Sequence, residues 1–148
     1  MTRPGTIADA DPVPVVVSYL RGRADVLAEF GDPARVGKEN VPPYPRLRVS
    51  NPPSGSDRFL GRLVAPVVRL ECLGDLDGTP GAEALRRGLY VALGAVADLP
   101  AHTPGPGEPI VTYVESSAAG GEVPTTGGQP RWLADVRVYL CHPDTVPT

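Results

Sequence analysis

Little in this chain suits cross-linking, metal capture or nucleic-acid binding. Two cysteines, Cys72 and Cys141, and two histidines, His102 and His142, are spread through 148 residues. Two thiols are too few for a disulfide scaffold, so both are expected free. No short-spaced set of His and Cys is present to bind a metal. Aromatics make up only 5% of the residues, so the core must be mostly aliphatic. Of the 14 basic residues only Lys38 is a lysine, and 17 acidic residues bring the net charge to −3. A free-standing nucleic-acid binder would show a basic excess instead. No apolar run approaches the roughly 18 residues that cross a bilayer, so no membrane contact is expected. The opening Met1-Thr2-Arg3-Pro4-Gly5 also lacks the apolar stretch of a signal peptide.

What is present is a chain of single-domain length, 41% hydrophobic, with 19 Pro and 17 Gly gathered between apolar runs. Residues 1–12 read as a flexible polar tail, 13–142 as one domain and 143–148 as a second tail. A helix is expected from Pro14 to Phe30, ended by Gly31-Asp32-Pro33. Val13, Val16, Val17, Leu20, Ala24 and Leu27 make its buried stripe; Val15, Tyr19, Val26 and Phe30 fall roughly opposite. Two apolar faces on one helix suit either a deeply sunk helix or a contact with another subunit.

A strand follows at 46–51, where Arg46 and Arg48 alternate with Leu47 and Val49. A second runs from Arg58 to Leu73, apolar on both faces over 63–68 and interrupted by Pro66, which cannot donate to a ladder. Helix two is expected over 80–99 with Thr79 as N-cap, held by packing because Gly88 and Gly94 each cost roughly 1 kcal/mol of helix propensity. Strand three spans 110–116, a Gly-rich loop 117–130. Strand four, 131–142, turns Trp132, Ala134, Val136, Val138 and Leu140 inward. The order is helix–strand–strand–helix–strand–strand, an α+β fold with an antiparallel or mixed sheet and two helices packed on one face. Parity places Cys72 inward and Cys141 outward.

Catalytic apparatus is sparse. His102 and His142 lie in or beside loops, where a lone histidine is ordinarily solvated. No Gly-x-Ser-x-Gly elbow occurs, and Ser116-Ser117 suits a strand end. Gly31 to Glu39 glances at a phosphate-binding loop but has the wrong spacing, and Glu39 replaces the required hydroxyl. Asp75 and Asp77, with Glu71 near, have too few oxygen ligands for a calcium loop. No catalytic residue, metal or cofactor is expected. The Arg46, Arg48, Arg58, Arg62 face is either solvated or meets an acidic partner surface or a nearby phosphate backbone.

Several stretches together resemble the tail terminator proteins of long-tailed bacteriophages, especially those of actinobacterial hosts. They are the opening helix Val15-Val16-Val17-Ser18-Tyr19-Leu20-Arg21, Tyr44-Pro45-Arg46-Leu47-Arg48-Val49, the run Leu63 to Cys72, the Ala/Leu-rich helix 80–99, and Trp132 to Leu140. The likeness covers about residues 13–142 and is one of length, element order and texture. It implies a non-enzymatic virion protein at the head-tail junction. Such proteins form a hexameric ring that caps the tail tube, ends its polymerisation and joins it to the head-neck connector. DNA then passes through the lumen without sequence-specific binding. Val15, Tyr19, Val26, Phe30, Leu63, Ala65 and Val67 would then contact the neighbouring subunit. Arg46, Arg48, Arg58, Phe59 and Glu122 would meet the major tail tube protein or the neck. A neck stopper or head-completion protein is the nearest alternative. A small intracellular enzyme or ligand-binding domain built on His102, His142 or Asp75/Asp77 is the alternative of a different class.

Overall fold

The computed structural model describes residues 11–52, 58–60 and 63–141, without side-chain placement at 58–60, 118 and 119. The fold is α+β, with three helices and a seven-stranded mixed sheet. Residues 1–10, the 53–57 stretch, Arg62, His142 and the 143–148 tail lie outside the described residues.

The expected first helix is two. Helix α1 spans Pro12–Arg21 and α2 spans Ala24–Phe30. Asp11 caps α1 by accepting from the Val13 N–H at 3.0 Å, and Pro12 opens it. Helix α1 therefore begins inside the segment read as a tail. At the junction Arg23 is extended, with φ −91° and ψ 122°, so α2 starts on a new axis. The break resets the phase of the apolar stripe. Val26 and Phe30 come to lie in the same core as Val16 and Leu20, at 0% and 2% exposure, whereas Ala24 faces solvent.

Strand β1 (Val36–Gly37) runs parallel to β2 (Arg46–Ser50). The long second strand is divided into β3 (Arg58–Leu60), β4 (Leu63–Ala65) and β5 (Val67–Leu73). Pro66 separates the last two, and its carbonyl still accepts from the Val138 N–H at 3.0 Å, so the ladder continues past it. Helix α3 covers Ala82–Ala97. Its N-cap is Gly81, not Thr79, because Thr79 is engaged in the preceding turn by Asp77. Strand β6 extends over Ile110–Glu122, well into the expected loop, and β7 covers Arg131–Cys141. Three register irregularities in β6 let its Gly- and Ser-rich end stay paired.

The sheet order is β1-β2-β5-β7-β4-β3, with β6 paired to β7. Residues from all three helices and one sheet face form a single core, including Leu47, Val49, Leu70, Cys72, Ala134, Val136, Val138 and Leu140. The inward parity read for β7 and for Cys72 holds. Cys141 is on the other face yet also buried, and both thiols are free.

Candidate functional site

The sheet face opposite the core is charged but largely enclosed. Register sets Arg48 opposite Glu71 and Arg69 opposite Asp135. Arg69 grips Asp135 in a two-pronged pair at 2.8 and 3.1 Å. Glu71, only 3% exposed at its side chain, accepts from Arg131 at 2.9 Å and Arg48 at 3.4 Å. Arginines that alternation alone assigns to solvent are therefore tied to carboxylates on neighbouring strands.

This corrects several expectations. Arg46 is buried and acts as a loop clamp, donating to the carbonyls of Val41 and Ala34. Arg48 bonds Glu71 and the Lys38 carbonyl. Arg46 is therefore not an open contact for a tube or neck protein, and Arg48, 39% exposed at its side chain, is open only in part. Val26, Phe30, Ala65 and Val67 are each at most 2% exposed within the single chain, so they offer no surface to a second subunit. Val15, Tyr19 and Leu63 are half-buried. Arg58 and Phe59 lie in β3, where only the backbone is described, and Glu122 is exposed at the end of β6.

Two surfaces remain that sequence reasoning missed. The first is at the end of the sheet where β2 begins, β5 ends and β7 begins. Three loops meet there, 38–45, 74–81 and 123–130, fastened by Gln129. Its amide donates to the Gly74 carbonyl at 2.9 Å and exchanges hydrogen bonds with Asn40 at 2.7 and 3.2 Å. Tyr44 adds a 2.9 Å bond to Asn40. Across this end stand Val41, Leu76 and Val123, all exposed, Leu76 the most at 72%. Leu76 sits on a closed turn: the Gly78 N–H bonds the Asp75 carbonyl at 3.0 Å and the Asp75 N–H bonds the Thr79 carbonyl at 2.8 Å. Gly78, at φ 87°, occupies the left-handed position such a turn needs. The Thr79 hydroxyl and N–H both donate to Asp77 and hold its carboxyl below the usual range. Asp77 is thus a turn-forming residue, and Glu71 is engaged by arginines on the sheet. Among the described residues no group of three or more His, Cys, Asp or Glu is placed to hold a metal.

The second surface is a groove of about 550 Å³ between α3 and β6, floored by β7. Tyr90, Leu93, Gly94 and Ala97 form its helix wall; Val114, Ser116 and Gly120 form its strand wall. Small residues on both walls leave the space open. A Cβ on Gly120 would come within 3.0 Å of the Tyr90 hydroxyl, so the tyrosine closes over that glycine. Arg86 stacks on the exposed Tyr90 ring at 4.7 Å.

A smaller polar hollow of about 390 Å³ collects Ser18, Tyr19, Arg23, Asp98 and His102. Tyr19 donates to the Ala95 carbonyl at 2.8 Å, and the His102 ring meets it edge-on at 5.2 Å. Burial raises the Tyr19 pKa. Arg23 is paired with Asp25 at 2.9 Å and Asp98 at 3.4 Å, so its charge is already balanced.

No family model matches the chain, and no curated protein matches it either. Among the described residues, no helix is long and apolar enough to cross a membrane.

Proposed function

We propose that this protein is a structural component of a bacteriophage tail, a tail terminator. Copies form a hexameric ring that caps the tail tube, ends its polymerisation and joins it to the head-neck connector, in the virion at the head-tail junction. The observation that carries the reading is the fastened loop end. Gln129 and Asn40 hold three loops in one platform whose exposed side chains include Val41, Leu76 and Val123. Ordering loops by buried side-chain bonds while leaving their apolar tips in water suits a surface shaped for another protein. The resemblance over residues 13–142 in length and texture supports the same reading. A neck stopper protein would use such a platform in the same way, against the connector instead of the tube.

A test is direct. Added to the tail tube protein of the same genome during polymerisation, the protein is expected at one end of each tube in negative-stain images, with tube growth halted. Tubes that grow unchanged, with no density at either end, overturn the reading; binding to connector rings but not to tubes moves it to the stopper.

A second reading, a small-ligand domain, is favoured by the hollow that brings His102 beside Tyr19 and Arg23. It requires that His102→Ala abolish binding or turnover of a ligand while leaving tube capping intact.

A further inference from the structure

The Leu76 turn and the α3/β6 groove are complementary and occupy different parts of the same chain. The turn presents one highly exposed leucine between two exposed aspartates, Asp75 and Asp77, on a hydrogen-bonded frame that does not need reshaping to dock. The groove is apolar along Leu93, Gly94, Ala97 and Val114, and Arg86 lies over the Tyr90 that forms one wall. Arg86 has no ion pair among the described residues; its neighbour Arg87 bonds Glu29 at 2.7 Å. Glu115, the one charged residue among the described residues that line the groove, has its carboxylate engaged by a 2.6 Å hydrogen bond from Tyr139. An apolar knob flanked by two carboxylates thus has a matching apolar hollow with one guanidinium, Arg86, stacked on its tyrosine wall.

We propose that the Leu76 turn of one copy seats in the α3/β6 groove of the next copy, with Asp75 and Asp77 against Arg86. Knob and hollow are different patches, so the contact is head-to-tail: every copy donates one turn and accepts another. Repetition of such a contact closes into a ring where its rotation permits. Charge complementarity sets the docking direction, and burial of the leucine supplies the affinity. The inference rests on the ring reading for its biological role and adds the address of the subunit contact.

The test uses the full chain and measures mass by sedimentation velocity across a wide concentration range. Wild-type protein is expected to associate. Leu76→Asp and Gly94→Gln should each weaken association at least about tenfold, the equivalent of losing one buried leucine or its seat. Both sites have room: Leu76 is mostly exposed, and a Cβ on Gly94 meets nothing within 4 Å, so Leu76→Asp should melt as wild type does and Gly94→Gln no lower than wild type. The decisive arm mixes the two variants. Leu76→Asp keeps a good groove and Gly94→Gln keeps a good turn, so an equimolar mixture should form a dimer that neither forms alone. Arg86→Glu should weaken wild-type association, and raised salt should do the same. A wild-type chain that stays monomeric throughout overturns the proposal. So do variants that associate as wild type does, or a mixture that gives no heterodimer. Should both variants still cap tail tubes normally, the groove contact is wrong and the ring reading stands. Loss of tube capping in wild type itself removes the ring reading instead.

Discussion

The Cα of Gly88 on α3 approaches the Phe30 ring so closely that an added Cβ would come within 3.2 Å of Cζ, and within 3.1 Å of Cys72 Sγ. The contact joins α2, α3 and β5 at one point of the core. Phe30, which a single continuous helix would turn toward a second subunit, is instead the residue onto which α3 packs.

Replacing this glycine therefore has the opposite sign to replacing the next one along the helix. Alanine favours a helix over glycine by roughly 1 kcal/mol. At Gly94, where the Cβ has open space, Gly94→Ala should raise stability by about 0.5–1 kcal/mol. At Gly88 the Cβ pushes against two side chains that are themselves buried, and overpacking typically costs about 1–3 kcal/mol. Gly88→Ala should lose about 1 kcal/mol net. Urea midpoints of the two variants, moving in opposite directions, check both. Phe30→Ala should cost about 3–5 kcal/mol by opening a cavity at the same point.

Cys72 gives the fold an alkaline limit. Burial, with the nearby charge of Glu29 adding to it, pushes the thiol from its ordinary 9.0 up to about 12. A thiol raised in the folded state is protonated there while the unfolded chain ionises, so folding is uncompromised below pH 9 and loses stability as pH rises toward 12. The loss attributable to this group should be about 1.4 kcal/mol at pH 10. Denaturation curves at about pH 8 and pH 10 for wild type and Cys72→Ala isolate it: the variant should lose less between the two. A thiol reagent should label native Cys72 only as fast as the chain opens.

These two contacts also mark how far the sequence alone can be read. The period-2 pattern of Trp132 to Leu140 is set by one continuous strand against one core, so inward and outward positions follow directly. The helix over 12–30 has no such continuity. One extended residue, Arg23, rotates α2 relative to α1, and a single helical wheel then assigns Val26 and Phe30 to the wrong side. Pro66 and Gly81 likewise change local geometry within segments whose composition is nearly unbroken. The charged sheet face fails for another reason. Alternation tells which side an arginine is on, not that Glu71 or Asp135 waits on the adjacent strand. The loop platform depends on Asn40 meeting Gln129 across 89 positions of sequence, which no local pattern encodes.

Glu71 should be among the costliest single polar changes in the chain. Its carboxylate is nearly enclosed and bonds both Arg48 and Arg131. Glu71→Ala removes the shared acceptor and leaves two guanidinium groups unpaired, on the strands β2 and β7 that flank β5. Breaking an enclosed ion pair from one side typically costs about 3–5 kcal/mol, and about 3 kcal/mol is expected here because Arg48 is 39% exposed and rehydrates. Glu71→Gln, which keeps the shape and an acceptor, should lose less. Thermal melts of the two variants, read against Arg48→Met as a one-sided removal, separate lost pairing from lost packing.

Loosening the loop end should weaken docking without touching a docking residue. The buried Gln129 side-chain amide bridges the Gly74 carbonyl and Asn40. Gln129→Ala strands the carbonyl of buried Gly74, while the amide of exposed Asn40 can turn to water. An unsatisfied buried polar group costs about 1–3 kcal/mol, so a global loss of about 2 kcal/mol is expected. The sharper readout is local. The Gly74 N–H bonds the Pro130 carbonyl and the Asp75 N–H bonds the Thr79 carbonyl, both within the platform. Hydrogen exchange at these two amides should accelerate more than exchange in α3 or in the centre of β7. Asn40→Asp should act in the same direction more mildly, since a carboxylate cannot donate to Gln129 Oε1 but still accepts from its amide and from Tyr44. If the Leu76 turn is a docking knob, both variants should also lower self-association with Leu76, Asp75 and Asp77 intact. Equal acceleration across all amides would mean that Gln129 stabilises the whole fold and has no special hold on the platform.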